Sequence, residues 1–377
     1  MPGLTRTAGI RAFGVAGLSA TVLGLCLLPP PAPAESAQIS IVNGSTTKIE
    51  RWPWQVALTV AQRPGSQAKP RARFFCGGSL IAPDLVLTAG HCVADLGKRQ
   101  IKRIEVISGR TRLNDDAAGR VTHVKDLMMP VNSLGRRRYR EKSEVANWDF
   151  ALLKLSKSLR SETIKLAGKD EADSWTPGRV VKTTGWGVTN ASNQRSSPVL
   201  KVASQVMLED KVCRRWNGNL YRPRTMNCMG GPGGNASTCF GDSGGPLVAP
   251  IEGGYRLMGA TSFGDAACDG VIPSIDTRIA GNPMRDWIRR TALRVSGIDV
   301  VGSGGVAPPE RTWCRVPSLT GRTVAQARKA LEGRGCLLGS VRHDAYSSGK
   351  RGIVTGASLI PGWLTPLGNR VWVWVSR

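Results

Sequence analysis

Histidine is scarce in this chain of 377 residues, which has three, at 91, 123 and 343. Chemistry that needs an imidazole near neutral pH therefore has few places to occur. Acids are also few, 27 against 52 lysines and arginines, and the net charge is +25. So basic a chain suits polyanionic surroundings such as a cell envelope or nucleic acid, or simply carries a solubilising surface. No CxxC spacing occurs among the cysteines, which argues against a zinc site. Asp115 and Asp116 are too few to suggest a calcium loop, so neither metal nor cofactor is expected. Beyond residue 28 no run is apolar and long enough to span a bilayer as a helix.

What is present begins with an export signal. Arg6 and Arg11 precede an apolar run from about Ala12 to Leu28, followed by a Pro-rich stretch and Ala32-Pro33-Ala34. This predicts a signal peptide over 1–34, cleaved after Ala34 or Ala37. A retained anchor is the alternative, although the run is near the lower limit for spanning. Cys26 reads as part of the signal, because Leu25 precedes it where a lipoprotein would carry a small residue. The predicted location is secreted, extracellular or periplasmic, with no transmembrane anchor after cleavage, and nucleic acid becomes the weaker partner. Eight cysteines then remain, an even count that reads as disulfides in an exported chain. On sequence alone they allow 105 pairings.

Three stretches carry chemistry. In Cys239-Phe240-Gly241-Asp242-Ser243-Gly244-Gly245 a serine sits between glycines, where its hydroxyl can be presented openly and backbone N–H groups can turn toward one point. The others are Leu87-Thr88-Ala89-Gly90-His91-Cys92 and Asn147-Trp148-Asp149-Phe150. Together they resemble the chymotrypsin-like serine proteases over roughly residues 41 to 290, in the chain order His, Asp, Ser. The resemblance implies a mainly β fold, two six-stranded antiparallel β-barrels with a C-terminal helix. Ser243 would be the nucleophile, His91 the general base and Asp149 its orienting acid. The amides of Gly241 and Ser243 would form the oxyanion hole. The implied disulfides are Cys76–Cys92, Cys213–Cys228 and Cys239–Cys268, with Cys314–Cys336 left as a local bridge.

Ile41-Val42-Asn43-Gly44 resembles the mature N-terminus of that family, whose freed amino group pairs with the acid before the nucleophile, here Asp242. Ser40 precedes Ile41 where many relatives carry Arg or Lys. Removal of a short pro-segment, 35–40, by an enzyme other than a trypsin is therefore the expectation. Between His91 and Asp149 the surplus length falls on Leu134–Lys142, a basic block that reads as a solvated loop. Thr184-Gly185-Trp186-Gly187 matches a further family signature, for which a structural bend suffices. After Pro283, Met284, Trp287, Ile288 and Leu293 suit a helix packed on the barrel.

The resemblance assigns the substrate pocket to Ser237, Phe240, Ser262, Phe263, Gly264 and Ser274. A tryptic enzyme would carry an acid at 237, so the neutral Ser237 favours medium-sized apolar residues before the cleaved bond. Against this, Asp276 replaces the usual Tyr near the pocket floor, with Asp265 and Asp269 on the adjoining loop. A carboxylate turned inward would restore preference for Lys or Arg.

Residues 295–310, rich in Gly and Pro, read as a linker after a protease domain spanning 41–294. Residues 311–377 hold 11 basic and 2 acidic side chains, a net +9. Thr323 and Gln326 form a capping-box pattern ahead of Val324, Ala327 and Leu331 on one helical face. Strands are predicted at 337–342, 352–358 and 370–376. With Val316-Pro317 and Ile360-Pro361-Gly362, the segment resembles a small α+β PASTA domain, which implies binding to peptidoglycan or an anionic wall polymer. A spacer without a ligand is the alternative. The whole reads as a secreted serine endopeptidase. The competing readings are tryptic cleavage, a catalytically silent homologue acting as a binding protein, and a chiefly wall-binding adhesin.

Overall fold

The computed structural model describes residues 41, 44–139, 146–190, 193–230, 236–281, 283–307, 313–344 and 351–376. The expected signal, the pro-segment, Val42 and Asn43 lie outside these. Among the described residues no helix is long and apolar enough to cross a membrane.

Short β-branched and Leu-rich runs between turn residues form strands, most of them buried along their whole length. The first six are β1 (Gln55–Val60), β2 (Phe74–Ala82), β3 (Leu85–Thr88), β4 (Ile104–Ser108), β5 (Arg120–Met128) and β6 (Ala151–Leu155). They close into an antiparallel barrel in the order β1-β2-β3-β6-β5-β4. The next six are β7 (Val180–Gly185), β8 (Lys201–Met207), β9 (Met226–Gly230), β10 (Pro246–Ile251), β11 (Gly254–Phe263) and β12 (Ser274–Thr277). These close in the same order, β7-β8-β9-β12-β11-β10, because β8 also pairs with β7.

The largest apolar cluster joins the barrels, uniting Leu87 and Phe150 of the first with Val248 and Leu257 of the second. Helix α1 (Asp210–Asn217) precedes β9, and helix α2 (Met284–Ser296) packs against this junction. Met284 and Ile288 are buried in it and Trp287 meets Phe150 edge-on at 5.6 Å. The expected apolar face is corrected at one position: Leu293 is 44% exposed, and Ala292 turns inward instead. The chain after α2 does not run free. The amide of Gly302 donates to Leu166 and that of Glu252 to Val306, so this stretch lies along the second barrel.

Residues 313–376 fold around helix α3 (Val324–Glu332), which begins with the capping box read from Thr323 and Gln326. Strand β13 (Trp313–Arg315) pairs with β16 (Leu364–Pro366). Strands β14 (Leu337–His343) and β15 (Val354–Ala357) flank β17 (Arg370–Val375). The apolar core here is not private: Val316, Leu319 and Trp363 share it with Leu208, Val212 and Ile275 of the second barrel. Trp363 lies over Gly230, where any side chain would strike the indole. Arg315 forms an ion pair with Glu209 beside α1.

Trp363 is 1% exposed. Its replacement by Ala should cost about 3–5 kcal/mol in denaturant unfolding of the full chain. A loss under about 1 kcal/mol would mean that the module leans on the barrel without depending on it.

Candidate active site

Strand pairing brings the first two motifs together. Thr88 at the end of β3 is in register with Ala151 at the start of β6, so the segments just outside both strands lie side by side. His91 and Asp149 occupy those segments. The backbone N–H of His91 donates to Asp149 Oδ1 at 2.7 Å, and His91 Nδ1 lies 2.8 Å from Oδ2. The Asp149 carboxylate is buried. Burial works against a charged His91, but the hydrogen bond and the negative charge of Asp149 outweigh it and hold the imidazole above the usual histidine range.

Two donors to Asp149 were not foreseen. The hydroxyl of Ser262 donates to Oδ2, and that of Thr277 donates to the Asp149 carbonyl at 2.8 Å. Ser262, expected among the pocket residues, thus turns its hydroxyl to Asp149. The β11–β12 register slips between Thr261 and Phe263, and such a bulge re-aims the residue it contains. As far as it is described, the Leu134–Lys142 block is the exposed loop expected over 134–138. Arg138 nevertheless sits 4.5 Å over the Trp148 ring, and Tyr139 is buried. Burial, with Asp149 and Asp95 adding to it, pushes the Tyr139 phenol up to about 12.

Ser243 lies on a turn pressed against the first barrel. Gly77 N–H donates to the Ser243 carbonyl at 2.8 Å, and Gly244 N–H donates to Thr261 at 2.8 Å. Gly244 has φ 76°, and a Cβ there would lie 2.8 Å from Ala89 N, two residues before His91. Glycine is required at this point on both grounds. Gly241 also has positive φ, 91°, with Phe74 packed beside it. Disulfides join Cys76–Cys92, Cys213–Cys228, Cys239–Cys268 and Cys314–Cys336. Cys76, His91 and Cys92 cluster closely enough to hold a metal, but both sulfurs are used in the disulfide and offer no thiolate.

Asp242 points away from Ser243 into the second barrel. Its carboxylate accepts N–H from Gly187 at 2.9 Å and from Cys239 at 3.1 Å. Gly185 and Gly187 make the room for it, since a side chain at either would overlap the carboxylate. The Thr184–Gly187 signature thus has a use beyond a bend. Burial pushes Asp242 up to about 7, the two amides offsetting part of the cost. The Ile41 side chain is buried against Ala203 and Ala236, while its nitrogen is still in the bond to Ser40.

At the expected pocket floor Ser237 and Ser274 are buried, with their hydroxyls 3.3 Å apart. Gln205 reaches Ser274 from behind at 3.4 Å. Phe263 is half-buried, Gly264 is exposed and Phe240 is 51% exposed. Asp276 is fully buried and neither carboxyl oxygen has a hydrogen-bond partner. Burial, reinforced by the charge of Asp242, pushes it up to about 8.

A profile of the family described as Trypsin matches residues 41–288. Trypsin from Saccharopolyspora erythraea is 31% identical over 240 residues, covering 63% of this chain and 93% of its own length. Chymotrypsin-like elastase family member 3A from Homo sapiens is 34% identical over 272 residues, covering 69% of this chain and 91% of its own. Member 3B is 33% identical over 271 residues, 70% of this chain and 92% of its own.

Two acids whose folded pKa values are raised, to about 7 and about 8, bind protons that the unfolded chain has released. Stability of the uncut chain should therefore fall as pH rises from about 4, the unfolded carboxylate value, to about 8. Asp276→Asn should flatten the upper part of that fall in denaturation series across pH. Unchanged curves would show that Asp276 ionises freely in the fold.

Proposed function

Because the chain belongs to the trypsin family of serine endopeptidases, we propose that it hydrolyses peptide bonds through Ser243, His91 and Asp149, by way of an acyl-enzyme. The observation that carries this is the double clamp of Asp149 on His91, through both the ring Nδ1 and the backbone N–H. That clamp leaves Nε2 to take the proton of Ser243 while Asp149 stabilises the imidazolium that results. The Gly241 and Ser243 amides hold the oxygen on which charge develops. Retention of all three residues weighs against a silent homologue, and the matched family against a chiefly wall-binding adhesin.

Asp242 supplies the switch. A buried carboxylate held by two amides gains most from a cation, and cutting before Ile41 would create one as a free α-amino group. Pairing of Ile41 with Asp242 would then fix the Gly241–Ser243 turn. Ile41 already has its side chain packed next to Ala236, close to the pocket.

Cleavage follows medium-sized apolar residues on this reading, with Ser237 and Ser274 closing the floor and Phe263 and Gly264 forming the walls. The two elastase-named relatives agree with a pocket that lacks a charged floor. Asp276 favours the same choice, since an acid raised to about 8 is mostly neutral at pH 7. Tryptic cleavage is the second reading, favoured by the presence of that carboxyl and by the trypsin-named relative. Export of the enzyme accords with the signal pattern and with four disulfides. One helix against a three-stranded sheet in residues 313–376 supports a PASTA-like module, whose +9 charge suits an anionic wall polymer.

Ser243→Ala should lower kcat/KM by about four decades or more. The acid limb of the wild-type profile should have its midpoint above 6.5, because Asp149 raises His91. Asp149→Asn should move that midpoint toward acid as well as slowing turnover. A retained midpoint would remove Asp149 from its orienting role. Peptides with Leu before the cleaved bond should be cut at least about tenfold faster than those with Lys at pH 7. The reverse order would mean that Asp276 is charged and faces the pocket.

A further inference from the structure

A cavity of about 530 Å³ opens beside Gly241, with Phe74 and Phe240 on its apolar side and Lys69, Arg71 and Arg195 around it. No carboxylate is among its lining residues. Arg71 is held in place, its backbone N–H donating to Asn114 Oδ1 at 2.9 Å and its Nε to the Ser196 carbonyl at 2.6 Å. Lys69 has a loose ion pair with Asp116 at 3.6 Å, both side chains being mostly exposed. Such a pair contributes little and yields readily to a competing anion.

The cavity shares Phe240 and Gly241 with the proposed catalytic site, but none of Ser237, Phe263, Gly264 or Ser274. A peptide whose carbonyl points at the Gly241 amide has two arms. The acyl arm is taken by Ser237, Phe263, Gly264 and Ser274. The leaving arm must pass over the other side of Gly241, along Phe240 and Phe74 and into the basic cavity. We propose that this cavity receives a carboxylate on the leaving arm, so that the enzyme prefers substrates with an acidic residue shortly after the cleaved bond. The proposal rests on the catalytic reading above for the direction of the chain. Three cations line this apolar base, one of them only loosely held by Asp116, and give that position a sign; charge complementarity of this kind governs selectivity more than total affinity.

The test uses amide-capped peptides with one acyl arm ending in Leu and with Asp, Asn or Lys at the first, second or third residue beyond the bond. At one of these positions kcat/KM should be about tenfold higher for Asp than for Asn, and lower again for Lys. Added salt should shrink the ratio. In a Lys69→Glu, Arg195→Glu double variant the Asp-to-Asn ratio should fall to about one or invert. The ratio is read within one preparation, so a smaller folded fraction does not affect it. An acid moved to the acyl arm should gain far less. A parallel series with a free α-carboxylate in place of the acidic side chain tells whether the chain end serves equally.

A ratio of one in the wild type would overturn the proposal. So would an acid preference untouched by the double variant, or one equal on both arms, because the overall charge would then explain it. Binding of a leaving-arm peptide carrying Asp, set against its Asn counterpart, to Ser243→Ala protein gives a readout that needs no turnover. A chain that binds the acidic peptide selectively but cleaves nothing would sink the catalytic reading and keep this one.

Discussion

A backbone hydrogen bond crosses between the barrels where the chemistry converges, from Gly77 N–H to the Ser243 carbonyl at 2.8 Å. The Gly77 carbonyl in turn accepts the Thr88 hydroxyl at 2.8 Å, three residues before His91. The turn bearing Ser243 and the turn bearing His91 are therefore held by the same short piece of β2. The approach is possible only because Gly77, Gly244 and Gly245 meet without side chains: a Cβ on Gly77 would lie 3.1 Å from the Gly245 Cα. A side chain at Gly77 or Gly244 would push the barrels apart rather than merely crowd a loop. The relative placement of the two proposed catalytic turns is thus a property of backbone contact, fixed before any substrate arrives.

Three buried aspartates share one physical problem and resolve it to different degrees. Asp149 receives the His91 amide and ring and the Ser262 hydroxyl, the fullest set of donors of the three. Asp242 has two amide donors, enough to orient it but not to offset the loss of water. Asp276 has no hydrogen-bond partner on either oxygen and is the most strongly pushed toward its neutral form. Desolvation is common to all three, and the number of donors that offset it differs. The proposed orienting acid, the activation switch and the acid near the expected pocket floor correspond to three levels of satisfaction of the same side chain.

What could be read from the sequence was local. The motifs around His91, Asp149 and Ser243 hold their meaning within a few residues. So does the capping box at Thr323 and Gln326, whose two reciprocal bonds span one helical turn. What escaped depends on distant partners. Gly185 and Gly187 cradle a carboxylate 55 or more positions away, which no local pattern announces. Ser262 turns to Asp149 because of a bulge, a register irregularity that depends on the partner strand. The glycine-rich stretch after α2 has a linker's composition. Its amides nevertheless find partners at Leu166, Asp170 and Glu171, and composition says nothing about a partner's presence. Leu293 satisfied the helical period and still faces solvent, since a period fixes a face but not how far the opposing surface extends.

The last segment shows the same logic at the scale of a whole module. Its apolar positions supported the resemblance to a free-standing envelope domain, and they do build a core around α3 and β17. That core is continuous with the barrel, because Trp363 fills the notch over Gly230, and Gly362, at φ 90°, packs against Val212. A module of about 65 residues buries too small a fraction of its surface to be robust alone, and a neighbouring apolar face relieves that shortage. The strand it leans on, β9, runs antiparallel to β12, with Met229 opposite Ser274 and Asn227 opposite Asp276. The module therefore buttresses the strand pair that carries the proposed pocket floor. Whatever it binds elsewhere on its surface, its docked face is part of the scaffold beneath that proposed floor.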